Sequence, residues 1–93
     1  MSEIADRYIS RKGLVAYDKK TMEPIALGSK VISFRGEEAL LLDNERVNEM
    51  RYGGRRSGKV YIQWLKDGFK AEYYDDVFGI VVVDPELENP VPL

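Results

Sequence analysis

The residues best suited to chemistry lie in a basic, glycine-rich stretch near the middle of the chain. Residues 51–59 read RYGGRRSGK, with four positive charges, one aromatic ring and three glycines. Arginine and lysine neutralise phosphates, and an exposed tyrosine stacks on unpaired bases. One interpretation is a nucleic-acid site in which Tyr52 stacks on a base and phosphates contact Arg51, Arg55, Arg56 and Lys59. The other is a solvated basic loop, because the sequence pI of about 5.2 is acidic, whereas nucleic-acid domains tend to be basic.

Aromatic rings near this stretch offer a second kind of surface, one that docks on another protein. Most rings are expected in the core, since Trp64 shares strand parity with Val60 and Ile62, and Phe69 shares it with Ala71. Two or three rings, led by Tyr61 and Tyr74, are expected to reach solvent. The predicted partner-binding residues are therefore Arg51, Tyr52, Arg55, Arg56, Lys59, Tyr61 and Tyr74.

The composition argues against catalysis. The chain has no histidine and no cysteine, which removes the usual general base near neutral pH, thiolate nucleophiles and the common transition-metal ligands. Four acids come in adjacent pairs at 37–38 and 75–76, a spacing typical of solvated turns or caps, whereas a hard-cation site needs converging oxygens. The glycine-rich strings lack the P-loop spacing. We expect no enzyme activity, no cofactor and no metal site.

Alternating hydrophobic residues predict a mostly β domain from residue 28 onward. Residues 30–35 and 39–42 are predicted to form a hairpin in which Ile32 and Phe34 share a face. Residues 59–65 and 69–73 flank an Asp67-Gly68 hairpin turn. Residues 74–78 fit one tight helical turn, and 80–83 are a β-branched final strand.

The flanking segments are less regular. Ser2 can cap a short helix that ends at Gly13, or the same residues form an arm. Residues 14–27 suggest a loose hairpin whose Pro24 places it at a sheet edge. Residues 43–58 form either a long loop or a short helix over 44–51. Residues 86–93 read as an acidic, proline-containing tail.

Length and charge define a single small domain. Ninety-three residues divide into a helix or arm with the loose hairpin (1–27), a β domain (28–84) and the tail (85–93). The net charge of -2 hides a basic middle, with 7 basic and 2 acidic residues in 46–70, and an acidic end, with none and 6 in 71–93. No membrane span or signal peptide is expected, which with the missing cysteines predicts a cytoplasmic location.

Two resemblances extend this interpretation. Five strands with a long second connection and one helical turn before the last resemble a five-stranded SH3-like barrel of the Tudor or KOW kind over residues 28–83. In addition, FRGE at 34–37, SGKVYIQW at 57–64 and DDVFGI at 75–80 look like small bacteriophage-encoded proteins. The second resemblance implies a phage origin and carries no functional residue.

These observations lead to two hypotheses. The favoured one is a non-enzymatic phage accessory module that docks on a host or phage protein in the host cytoplasm. The alternative is a small nucleic-acid-binding barrel that uses the basic residues 51–59. The oligomeric state is left open by the sequence.

Overall fold

Seven short strands and two 3-10 turns make up the computed structural model, which describes residues 5–47 and 58–85. The two 3-10 turns are Asp6–Tyr8 and Asp75–Phe78. The strands are β1 Val15–Asp18, β2 Pro24–Ile25, β3 Lys30–Ile32, β4 Glu38–Arg46, β5 Lys59–Trp64, β6 Lys70–Tyr74 and β7 Ile80–Val83.

The strands form two antiparallel sheets. One has the order β2-β1-β7 and the other is a β3-β4-β5-β6 meander. The predicted mostly β class is therefore confirmed. The closed barrel is not, because no strand pairing joins the two sheets within residues 5–47 and 58–85. The reason is that β7 pairs along its whole length with β1, from Val15 opposite Val83 to Asp18 opposite Ile80.

The core lies between the two sheets. Ala16, Ile80 and Val82 of the first sheet belong to one buried cluster with Leu41 and Ile62 of the second. Along β5 the burial alternates strictly, with Val60, Ile62 and Trp64 buried and the residues between them half-buried. The predicted parity of this strand is confirmed.

Two aromatic residues are more exposed than the sequence predicts. Phe69 is 59% exposed because it lies in the hairpin turn, before β6 begins at Lys70. Phe34 is 75% exposed and Ile32 is 52% exposed. They share a face, as predicted, but that face points to solvent while Val31 takes the buried one. Among residues 5–47 and 58–85, the exposed rings are therefore Phe34, Phe69 and Tyr74, and Tyr61 is half-buried.

The predicted N-terminal helix is wrong for the part of the chain that the structure describes. After the three-residue turn Asp6–Tyr8, Ile9 forms an antiparallel bridge with Val15. The buried Ser10 explains the change of direction, since its hydroxyl accepts a hydrogen bond from Leu14 N–H and donates one to the Asn44 carbonyl. The chain is therefore turned directly into β1.

The loose hairpin and its edge position are confirmed. β2 pairs only with β1 in the described sheet, and Pro24 lies at the outer edge, where no N–H is needed. The alternative helix over 44–51 is wrong at its start because β4 continues to Arg46 with two register shifts. The buried Asn44 holds this end of β4 by donating from Nδ2 to the Leu14 carbonyl.

The predicted helical turn before the last strand is confirmed as the 3-10 turn Asp75–Phe78. Phe78 enters the core, and Gly79 ends the turn with a left-handed backbone (φ 66) that glycine adopts without strain. Asp75 is fully buried, and its Oδ2 accepts the N–H of Val82 at 3.1 Å. This hydrogen bond fixes the turn against β7.

Candidate functional site

The predicted partner-binding residues divide into two groups. Arg51, Tyr52, Arg55 and Arg56 lie outside the described residues. The other three, Lys59, Tyr61 and Tyr74, lie on the outward face of β5 and β6. We call these three residues, together with Glu72, the β5–β6 patch.

The antiparallel register brings this patch together. Lys59 lies opposite Tyr74, and Tyr61 lies opposite Glu72. The Lys59 ammonium lies 5.3 Å from the centroid of the Tyr74 ring and 3.8 Å from Glu72 Oε1. A cation above a ring is a stabilising arrangement that also holds the ring in place. The patch is therefore an aromatic surface whose lysine has a nearby carboxylate.

A second surface, which the sequence analysis did not identify, is an open groove of about 410 Å³ between the two sheets. One wall consists of Ile32 and Phe34, at and beyond the end of β3. The other wall consists of the β1–β2 turn (18–20) and the second 3-10 turn with its cap (76–79). We call this the β3 groove.

One backbone hydrogen bond connects the two walls of the β3 groove, and a second holds together the two turns that form one of these walls. Phe34 N–H donates to the Val77 carbonyl at 2.8 Å, and Lys19 N–H donates to the Gly79 carbonyl at 2.9 Å. Both bonds involve main-chain atoms, so they do not depend on flexible side chains. The exposed Phe34 ring is therefore attached to a backbone that is fixed at the groove.

The β1–β2 turn is held by its own aspartate. Asp18 Oδ1 accepts hydrogen bonds from the N–H groups of Lys20 and Thr21, at 2.8 and 3.1 Å. Met22 closes the turn with a left-handed backbone (φ 59) and donates its N–H to the Asp18 carbonyl. Because a methionine rarely adopts this conformation, these bonds keep the turn in one shape.

The charges around the groove are unevenly matched. Lys19 Nζ donates to Asp76 Oδ1 at 2.7 Å, and this hydrogen bond raises the pKa of the Lys19 ammonium. Within residues 5–47 and 58–85, by contrast, neither Lys20 nor Arg35 has an acidic partner. The Arg35 guanidinium lies 5.5 Å from the centroid of the Phe34 ring. Beside the exposed apolar wall, Lys20 in the lining and Arg35 next to Phe34 are positive charges without an acidic partner, while the Asp18 carboxylate of the same lining bonds to the N–H groups of its own turn.

The sequence contained part of the signal for this groove. The KVISF alternation correctly predicts that Ile32 and Phe34 share a face. The alternation does not predict where the second 3-10 turn lies relative to Phe34. Val77 of that turn is 43 residues further along the chain, and its carbonyl accepts the Phe34 N–H. That contact forms only when β7 pairs with β1.

Other kinds of site receive no support from the described residues. No group of three or more His, Cys, Asp or Glu side chains is placed there to hold a metal ion. No helix in that part of the chain has the length and apolar character needed to span a bilayer.

Comparison with known proteins does not assign this chain to a family. No protein-family model, no curated protein and no solved structure matches the chain. The function must therefore be argued from the surfaces themselves.

Proposed function

We propose that this chain is a non-enzymatic binding module that docks on another protein through the β3 groove. The observation that carries the proposal is the pair of exposed apolar side chains, Ile32 and Phe34, beside an open groove. Exposed apolar side chains grouped within a polar rim are typical of interaction sites. The backbone bonds within and between the groove walls keep this surface formed without a partner, which lowers the entropy cost of binding.

The strand order supports a more specific form of the same proposal. Five strands, β3 to β7, lie within the predicted SH3-like region, and a single 3-10 turn separates the last two. This order supports the proposal of an SH3-like fold, here with β7 paired to β1. A phage origin, a cytoplasmic location and a host or phage protein as partner remain predictions from the sequence.

Nucleic-acid binding is the second candidate function, supported by Lys59 above the Tyr74 ring and by the basic residues 51–56. Against it, Glu72 lies 3.8 Å from the lysine ammonium and places a carboxylate where a phosphate would approach. A phosphate contact requires a cation that is free to neutralise the phosphate and so release the counterions condensed on the nucleic acid. The described part of the patch is therefore better suited to a protein surface.

A capture experiment with matched variants separates the two candidates. The tagged protein is exposed to bacterial host lysate, with and without nuclease, beside Phe34→Ser and Phe69→Ser. Both positions carry exposed phenylalanines, but only Phe34 lines the groove. Docking through the groove predicts nuclease-resistant capture of a defined protein that Phe34→Ser abolishes and Phe69→Ser leaves intact.

A salt titration on mixed-sequence oligonucleotides tests the alternative directly. Four neutralised phosphates give a slope of log affinity against log salt of at most about -3.6 on duplex DNA or about -2.8 on single strands. Micromolar binding near physiological salt that Arg55→Glu with Arg56→Glu abolishes, while Phe34→Ser has no effect, would replace the proposal with the nucleic-acid function.

A further inference from the structure

The outer edges of the sheets differ in how they are protected. At an edge, unpaired backbone groups attract other strands unless proline or charged side chains prevent it. β2 has Pro24, β6 has Lys70 and Glu72, and β7 has its Val82 N–H bonded to the Asp75 carboxylate. β3, the other edge of the four-stranded sheet, has the exposed Ile32 and is followed by the exposed Phe34.

The backbone of β3 also has groups that point away from its own sheet. In antiparallel pairs successive residues bond alternately to one side and to the other. Ser33 N–H donates to the Glu37 carbonyl on the side of β4, and Phe34 N–H donates to Val77 on the opposite side. By this alternation the N–H and C=O groups of Ile32 and Lys30 point in the same direction as those of Phe34. That direction is toward the β3 groove.

We propose that the β3 edge binds a short, extended segment of a partner protein that carries acidic residues between apolar ones. The segment adds a strand beside β3 and places its apolar side chains on Ile32 and Phe34. This inference rests on the proposed function, since it names the chemistry of the partner that the groove receives. Strand addition supplies affinity through main-chain hydrogen bonds, and the side chains supply specificity.

The acidic character follows from charge complementarity at the rim. Lys20 lines the groove, Arg35 lies next to Phe34, and neither has an acidic partner among the described residues. Together with Lys19, Asp18 and Asp76 of the lining, three cations and two carboxylates leave a net positive charge of one. Lys30, the other cation on the strand, has Glu38 at 3.2 Å. Two matching carboxylates on the incoming segment would be attracted to Lys20 and Arg35, whereas a basic segment would be repelled.

The segment must be short, and a second copy of this chain paired about Ile32 does not fit. The Val77 carbonyl already accepts the Phe34 N–H, so an added strand can pair with β3 only as far as Ile32. Antiparallel self-pairing centred on Ile32 would place Lys30 of a second copy opposite Phe34, where Val77 lies. A free segment avoids this clash because it can turn away from the groove at that point.

The test uses capped pentapeptides and backbone NMR. The first peptide alternates three glutamates with a valine and a leucine, and a second has glutamines in place of the glutamates. Two further versions of the first peptide are N-methylated, one on the first, third and fifth residues and one on the second and fourth. Binding is measured from the shift of the Ile32 amide signal and from its hydrogen-exchange protection.

Strand addition predicts that the acidic peptide shifts and protects the Ile32 amide, and that only one of the two N-methylation patterns prevents this, since alternate amides face β3. We expect at least tenfold weaker binding for the glutamine peptide and for the variant with Lys20→Glu and Arg35→Glu. Phe69→Ser serves as the matched control and should bind as the unmodified protein does.

Other results overturn the inference in distinguishable ways. Equal binding of both N-methylated peptides would replace strand addition with side-chain docking. Equal binding of the glutamine peptide would remove the acidic requirement. No peptide binding, with Phe34-dependent protein capture intact, would refute the segment and leave the proposed function standing. A dimer in sedimentation that Ile32→Glu dissociates would assign the edge to a second copy.

Discussion

Replacing Trp64 with alanine is the most direct test of how the two sheets are held together. Trp64 is only 9% exposed, and its ring centroid lies 5.3 Å from that of Tyr73 and 5.6 Å from that of Phe78. Its Nε1–H donates to the Tyr73 hydroxyl at 3.0 Å. The ring therefore joins β5, β6 and the second 3-10 turn in one cluster.

The expected loss is large for a domain of this size. Truncating a buried tryptophan to alanine costs about 3 to 5 kcal/mol, including the aromatic contacts and the space left behind. The whole domain is stabilised by roughly 5 to 14 kcal/mol, at 0.05 to 0.15 kcal/mol per residue. With a shift of about 4 to 8 °C per kcal/mol in small domains, a loss of about 4 kcal/mol lowers Tm by roughly 15 to 30 °C.

Urea and thermal unfolding measure this loss. Far-UV circular dichroism is used to follow them instead of fluorescence, because Trp64 is the only tryptophan and its removal eliminates the tryptophan signal. Phe69→Ala is the matched control, an exposed aromatic residue on the same hairpin whose loss should cost less than about 1 kcal/mol. In the unmodified protein, Trp64 fluorescence should be blue-shifted and resist acrylamide. If Trp64→Ala melted within a few degrees of Phe69→Ala, the assignment of Trp64 to the core would be wrong.

Three further predictions concern the second 3-10 turn and its neighbours. Asp75→Ala should destabilise the fold by about 1 to 3 kcal/mol in urea unfolding, because the buried Val82 N–H loses its acceptor; a change below about 0.5 kcal/mol would contradict the role of this bond. Lys19→Met should lower stability by less than about 1 kcal/mol, since the pair with Asp76 is half exposed. Because the folded state raises the pKa of Lys19, the stabilisation by the ion pair is complete below the ordinary pKa of 10.5 and is lost as pH rises through the higher folded pKa. A stability difference between Lys19→Met and wild type that grew above pH 10.5 would refute this role of the pair. Gly79→Ala should cost about 1 to 2 kcal/mol in thermal unfolding from its positive φ alone, because an added Cβ meets no atom within 4 Å; a neutral substitution would show that the turn relaxes.

Local patterns in the sequence predict the elements around the β5–β6 hairpin well. The alternation in 59–64 assigns Val60, Ile62 and Trp64 to one buried face. Asp67-Gly68 predicts the tight turn, in which Gly68 has a positive φ of 75. These features depend on neighbours within a few residues, so the sequence alone contains what is needed to predict them.

The N-terminal segment shows where local patterns mislead. The Ser2 cap and the end at Gly13 suggest a helix, but Ile9 bridges to Val15 and Ser10 bonds to Asn44. Short helices need tertiary packing to persist. Here the tertiary contacts favour an early turn into β1, and a partner 34 residues away is not visible in the local sequence.

The candidate site shows most clearly the difference between features that local sequence patterns predict and features that depend on tertiary contacts. Sequence patterns alone predict that the chain is mostly β, that Ile32 and Phe34 share one face, and that Lys59 and Tyr61 lie on one strand of a hairpin, whereas Tyr74, predicted in the helical turn, is the last residue of β6. Only the tertiary structure decided that the face of Ile32 and Phe34 is exposed and that it borders a groove with the β1–β2 turn. The physical reason is that alternation fixes which side chains lie together, whereas the pairing of β1 with β7 decides which side the opposite sheet covers.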